Sequence, residues 1–215
     1  MILVIRLKEK IMQYDTILIG IGCEWRSEHN LNLTAVYEKL YSGVRYKNFF
    51  IVTTVTDAKI YESSFGKSDG FFAPAKQIVA PCGNQNWRQC ERSCTKDIWE
   101  AGEVADGICP HCGAMLIANT IEAPNYIEEG YLPQWSRYLQ WLSNTVGRPM
   151  LILELGVDLS YPTVIRIPFE KTAALNARAE LIRVNAGFPQ LPEELLGRAV
   201  GIRANSVDFV RFMQG

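Results

Sequence analysis

Apolar residues fall along this chain in short runs, separated by stretches where they recur with a helical period. Residues 16–19 read as a first strand that ends in Gly20-Ile21-Gly22. Over residues 31–41, Leu33, Val36, Tyr37 and Leu40 line one helical face. Residues 48–54 predict a second strand, and residues 76–80 a third that ends at Pro81-Cys82-Gly83. Residues 134–142 predict a helix with Trp135, Tyr138 and Trp141 as core or interface anchors. Residues 150–155 are almost continuously apolar, the pattern of a strand covered on both faces. Residues 162–169 predict a helix with proline in its first turn. Residues 180–184 predict a further strand ending at Asn185, and residues 206–213 a closing helix.

Strands alternating with helices predict an α/β fold: a parallel, Rossmann-like sheet with helices on both faces. In such sheets ligands lie beyond the carboxyl ends of the strands. Here those ends are Gly20-Ile21-Gly22, Thr53-Thr54, Cys82-Gly83, Gly156-Val157-Asp158 and Asn185. Small and polar residues suit a nucleotide there, although strand ends need turn residues in any case. Gly20-Ile21-Gly22 alone is a weak signal, because no full G-x-G-x-x-G follows it.

One segment breaks the alternation. Cys90 and Cys94 read C-E-R-S-C, and fourteen residues later Cys109 and Cys112 read C-P-H-C-G. Two knuckle-like pairs can place four thiolates around one tetrahedral zinc ion. Gly113 suits the tight turn of the second knuckle. Four sulfur ligands leave no open position, so the zinc is expected to be structural. Two disulfides or four unrelated core thiols are the other readings. The predicted organisation is a zinc module over residues 86–120, inserted into a domain formed by residues 1–85 and 121–215.

The 215 residues suffice for one sizeable core and a small module. A net charge of −1 gives no footprint for a nucleic-acid backbone. No apolar run approaches a membrane span. Arg6, Lys8, Glu9 and Lys10 interrupt the apolar start, a poor signal peptide, and the natural start is either Met1 or Met12. A cytoplasmic location and reduced thiols are expected.

Beyond these readings, the residues resemble those of the sirtuins, the NAD-dependent protein deacylases. The resemblance is nearest to the bacterial class linked to macrodomain proteins, whose members act as ADP-ribosyltransferases. It runs from about Lys47 onward, with a weaker match at the first strand. Phe49-Phe50-Ile51-Val52-Thr53-Thr54-Val55-Thr56-Asp57 is similar to the family's threonine-threonine-asparagine-x-aspartate segment. Cys82-Gly83-Asn84, then Gln89-Cys90, resembles the catalytic segment that leads into the first zinc pair. Leu153-Glu154-Leu155-Gly156-Val157, Tyr161-Pro162 and Ile165-Arg166-Ile167-Pro168-Phe169-Glu170 resemble a signature of the macrodomain-linked class. Leu181-Ile182-Arg183-Val184-Asn185 resembles the strand whose asparagine meets the adenosine ribose. The resemblance implies NAD or ADP-ribose as cofactor and a protein as substrate or partner. It carries cofactor contacts to Gly20, Gly22, Thr53, Asp57, Gly156 and Asn185, and the catalytic position to Cys82.

The chain also departs from that pattern. The long loop over the cofactor is cut to Cys23-Glu24-Trp25-Arg26 before the next helix. Val55 replaces the asparagine that positions the nicotinamide ribose, and Cys82 replaces the catalytic histidine or glutamine. The two histidines, His29 and His111, lie in the shortened loop and in the zinc knuckle. Histidine suits proton abstraction from a ribose hydroxyl because of its pKa. Two roles fit Cys82: an activated base or nucleophile, or a small buried thiol that fills space, the second being favoured. Asp57 fits a ligand contact or a helix cap. Glu154, in an apolar strand, needs a buried partner. Arg88, Arg92, Lys96 and Arg203 read as scattered solvated charges. Three functions remain: an active NAD-dependent enzyme, a binding fold with reduced or lost catalysis (preferred), and a scaffold without a ligand.

Overall fold

The computed structural model describes residues 7–30, 32–67 and 74–213. Its centre is a six-stranded sheet built from β1 (Thr16–Ile21), β2 (Asn48–Thr53), β3 (Ile78–Val79), β7 (Met150–Leu155), β8 (Ala179–Val184) and β9 (Ala199–Ile202). The order is β3-β2-β1-β7-β8-β9, and every neighbouring pair is parallel. A second sheet, β5-β4-β6, is antiparallel, formed by β4 (Gly83–Cys90), β5 (Trp99–Glu100) and β6 (Leu116–Thr120). The expected α/β class, with a parallel sheet and a four-cysteine insert, is the observed one.

The period of two along the strands sorts the core into two layers. Ile17, Ile19 and Ile21 of β1, with Leu151, Leu153 and Leu155 of β7, face one side. There they meet α1 (Leu7–Gln13), α2 (Leu33–Val44) and α6 (Ser206–Arg211), which bury Leu7, Leu33, Val36, Tyr37, Leu40 and Val207. Leu18 and Ile152 face the other side, against α4 (Leu132–Asn144) and α5 (Arg166–Leu175) through Tyr138 and Phe169. Trp135 and Trp141 pack on this second core, and the Trp141 indole donates to Asn48 Oδ1 at 2.6 Å. A short α3 (Lys59–Glu62) follows β2.

The differences from expectation have local causes. The start of α2 expected at Leu31 lies outside the described residues. The helix expected from residue 162 begins at Arg166 instead. Ser160 is tied back to Asp158 by its amide and hydroxyl, and Val164 N–H closes a turn on Tyr161 O. Pro168, not Pro162, is the proline of the first helical turn, where a missing N–H breaks no helical bond. β3 shortens because Pro74–Gln77 form a 3₁₀ turn before it. β9 and α1 were not expected.

Glu154 points from β7 into the second layer, where burial demands a partner. The Arg183 guanidinium of β8 pairs with both its oxygens, at 2.7 and 2.8 Å. Arg183 also donates to Glu170 Oε1 at 2.7 Å and to Gln190 O. Burial works against its charge, but the Glu154 and Glu170 carboxylates hold the guanidinium above its usual pKa. Among the described residues, no helix is long and apolar enough to cross a membrane.

Removing one member of this enclosed group strands the other. Arg183→Met is expected to lower the unfolding free energy by roughly 3–5 kcal/mol, measured by urea denaturation. Combining it with Glu154→Leu should recover part of that loss, since contacting residues are coupled. A single variant as stable as the parent would show that the pair contributes nothing.

Candidate functional site

The four-cysteine cluster grows from the small sheet. Cys90 ends β4, and its carbonyl accepts from Ser93 N–H at 2.9 Å in the first knuckle. Cys109 N–H donates to Ala114 O at 2.7 Å and Gly113 N–H to Cys109 O at 2.9 Å in the second. Gly113 has φ of +72°, the left-handed region where glycine is unstrained. The sulfurs of Cys90, Cys94, Cys109 and Cys112 all lie within 4.8 Å of one another. Cys90–Cys112 and Cys94–Cys109 are each 3.5 Å apart. That is close to the edge of a tetrahedron with metal–sulfur bonds of about 2.3 Å, and far beyond a disulfide bond of about 2.05 Å. Burial opposes ionisation of Cys90, but the amides of Cys94 and Arg92 bring its thiol down to about 6. Cys94 is pushed up, chiefly by its hydrogen bond to Cys112. Four sulfurs this close ionise together only around a cation, and the cluster could hold a zinc ion.

The insert is tied through Gln89 to the segment that leads from β6 towards α4. Its Nε2 donates to Asn125 O at 2.8 Å, and its Oε1 accepts from Asn119 Nδ2 at 2.7 Å and Ile127 N–H at 3.0 Å. His111 meets Asp97 at 2.8 Å on the exposed side of the knuckle. Lys96 and Arg203, expected as solvated charges, are exposed, with Lys96 pairing with Glu129 and Arg203 donating to Ala186 O at 3.1 Å.

The second candidate is the edge where the parallel strands end. The sheet order reverses between β1 and β7, so the crevice expected of such folds opens beyond their carboxyl ends. In register, Ile21 lies beside both Thr53 and Leu155, Leu155 beside Val184, and Val184 beside Ile202. Gly22, Gly156 and Asn185 therefore come together at one level. Gly20 does not belong with them. A methyl group there would lie 2.5 Å from Ile165 Cγ2 and 2.8 Å from Phe169 Cε2, so Gly20 lets α5 sit on the sheet. A methyl group on Gly22 would lie 2.4 Å from Val157 Cα and 2.5 Å from Gly156 O. Gly156 has φ of +64°, and a methyl group on it would lie 2.5 Å from Glu24 Cβ.

The polar candidates are already partnered. Asn185 Nδ2 donates to Val157 O at 2.7 Å, and its Oδ1 accepts from Gly187 and Phe188 N–H at 2.8 and 2.7 Å. Thr53 Oγ1 accepts from Val55 N–H at 3.0 Å. Asp57 Oδ1 accepts from Lys59 N–H at 3.1 Å, next to the start of α3, and Oδ2 accepts from Ser27 N–H at 2.6 Å. Asp57 thus fastens the loop after β1 and accepts from the first amide of α3, whose N-cap position is Ala58. Cys82 is 1% exposed. Burial first, then the charge of Asp158, pushes its thiol up to about 12. Burial, again with Asp158, raises Cys23 to about 11. Val55 is buried at the same edge.

Glu24 was not singled out from the sequence, yet it lies at the centre of this edge. Its Oε1 accepts from Ala186 N–H at 2.8 Å, just past β8, and its Oε2 from Ser206 N–H at 2.6 Å. Trp25 beside it is buried, and its indole donates to Ser206 Oγ at 3.0 Å. Its position two residues beyond Gly22 was the only available signal.

Two cavities of about 440 and 540 Å³ flank the insert and share Trp87, Glu100 and Gln134. Neither is lined by Cys82, Gly156 or Asn185.

No protein-family model matches the chain. Over 175 residues it is 22% identical to a protein ADP-ribosyltransferase of Staphylococcus aureus (strain Mu50 / ATCC 700699), an alignment covering 76% of this chain and 55% of that protein. The chain thus spans about half the length of the curated relative it matches. At this identity and coverage the similarity does not fix a family for the chain.

Two outcomes test these sites. Purified protein is expected to carry about one zinc ion per chain, and Cys109→Ser to lose both the metal and much of the thermal stability. A metal-free parent with an unchanged melting temperature would remove the metal reading. Cys82 should resist iodoacetamide at pH 8 in the folded protein and react once unfolded, as mass spectrometry would show. An unfolded thiol loses its proton near ~8.5, the folded one at about 12. Cys82 therefore lowers stability progressively as pH rises above ~8.5.

Proposed function

We propose that this chain is a sirtuin-like nucleotide-binding fold of the macrodomain-linked kind. Its strand-end crevice takes NAD or ADP-ribose, its insert holds a structural zinc ion, and its NAD-dependent transferase chemistry is reduced or lost. The observation that carries this reading is the switch point between β1 and β7, where Gly22, Gly156 and Asn185 meet at one level. The distant similarity to an ADP-ribosyltransferase supports the choice of NAD and ADP-ribose over other nucleotides.

The loss of chemistry follows from proton accounting. In ADP-ribosyl transfer the bond from ribose C1′ to the nicotinamide nitrogen breaks, and a bond from C1′ to the acceptor forms. Nicotinamide leaves neutral, and the acceptor's proton must go to a base. Cys82, at the position the resemblance makes catalytic, stays protonated near neutral pH. The side chain of Val55 offers neither donor nor acceptor. Losing a positioned base alone costs about 10²–10⁴ in rate. In this reading Cys82 packs the strand end, and Thr53, Asp57 and Asn185 shape the crevice through the backbone they fix.

The similarity to a named ADP-ribosyltransferase favours one second reading: an active enzyme that modifies a protein substrate. Calorimetric titration with NAD and, separately, ADP-ribose tests the first reading. Micromolar heats with either are expected; a folded, metal-loaded sample that gives none overturns it. Transfer of labelled ADP-ribose from NAD to a protein, abolished by Cys82→Ala, would establish the second reading and refute the loss of chemistry.

A further inference from the structure

Glu24 occupies the crevice that the proposed function assigns to a nucleotide. A carboxylate that accepts from two backbone amides makes short, charge-assisted bonds. These amides come from different parts of the chain: Ala186 follows β8, and Ser206 lies beyond β9. A third segment, the turn after β1, delivers the carboxylate between them. Its stem crosses directly over Gly156, where even a methyl group would collide with it. The turn is held at two points: Glu24 N–H donates to Gly156 O at 3.3 Å, and the Trp25 indole Nε1–H donates to Ser206 Oγ at 3.0 Å. Asn185, beside the seat, has both polar atoms of its side chain engaged by backbone.

We propose that Glu24 is an internal plug: its carboxylate fills the anion seat formed by the Ala186 and Ser206 amides, and a phosphate- or ribose-bearing ligand must displace it. The inference rests on the nucleotide-crevice reading above. Phosphate oxygens and a carboxylate make the same demand on paired amides, so the two exclude each other at this seat. A tethered occupant competes at an effective concentration on the order of millimolar. The apparent affinity of any ligand falls by the fraction of molecules in which the seat is open. The shortened loop after β1 thus does the opposite of a loop that closes over a cofactor.

The test compares the full-length parent with Glu24→Ala and Glu24→Gln, using two probes: ADP-ribose by calorimetry, and inorganic phosphate by the amide NMR shifts of Ala186 and Ser206. Glu24→Ala is expected to bind ADP-ribose at least about tenfold more tightly than the parent, and to take up phosphate at those two amides. Glu24→Gln, which keeps the stem and one acceptor oxygen, should fall between them, and it carries the comparison if Glu24→Ala does not fold. Equal ADP-ribose affinity in parent and variants overturns the plug and leaves the nucleotide reading standing. Phosphate uptake at both amides without ADP-ribose binding upholds the plug and overturns the nucleotide reading. No ADP-ribose binding and no phosphate shift in any variant overturns the plug.

Discussion

The enclosed Arg183 guanidinium is the constraint around which one half of this molecule is organised. A fully buried cation needs nearly all its N–H groups satisfied, and the partners must come from wherever the chain can bring them. Here Glu154 comes from β7, Glu170 from α5, and the Gln190 carbonyl from the loop after β8. Arg166 grips the same loop at Phe188 O and Gln190 O, at 3.1 and 2.9 Å. Strand, helix and loop are thereby registered to one another from below. The loop so held presents the Asn185 side chain and the Ala186 amide at the strand ends. The polar edge of the sheet inherits its geometry from an ion pair buried beneath it.

Above that pair, the chain satisfies its own polar groups at the switch point. Strand ends in parallel sheets expose amides that attract ligands. In this molecule Glu24, Asn185 and Asp57 meet many of them internally. Burial and the Asp158 charge keep two nearby thiols protonated. The resulting edge is orderly, its polar side chains paired within the chain.

The sheet was legible because burial imposes period-two alternation, as in Ile17, Ile19 and Ile21 against Leu18. The cysteine cluster was legible because thiols that can share one ion fall close in sequence as well as in space. β9 was hidden because an edge strand is only half-buried, and Ala199–Ile202 carries no strong apolar run. Pro162 misled because a proline suits a turn as well as a first helical turn. Gly20 was read as a ligand contact, but a side chain there would meet Ile165 and Phe169, and close helix–strand packing selects glycine as well. Glu24 was invisible because its partners are backbone amides more than 160 residues away, and amides leave no mark in sequence.

The four-cysteine insert leaves and rejoins the main chain at neighbouring points: Gly83 pairs with Thr120, and Ile121 N–H bonds Cys82 O at 2.9 Å. Its entry and exit are the two sides of one ladder. To the rest of the fold it is therefore a wide hairpin, whatever lies between its stems. None of its strands enters the order of the parallel sheet. The four-cysteine unit thus stands apart from the strand order of the sheet that carries it.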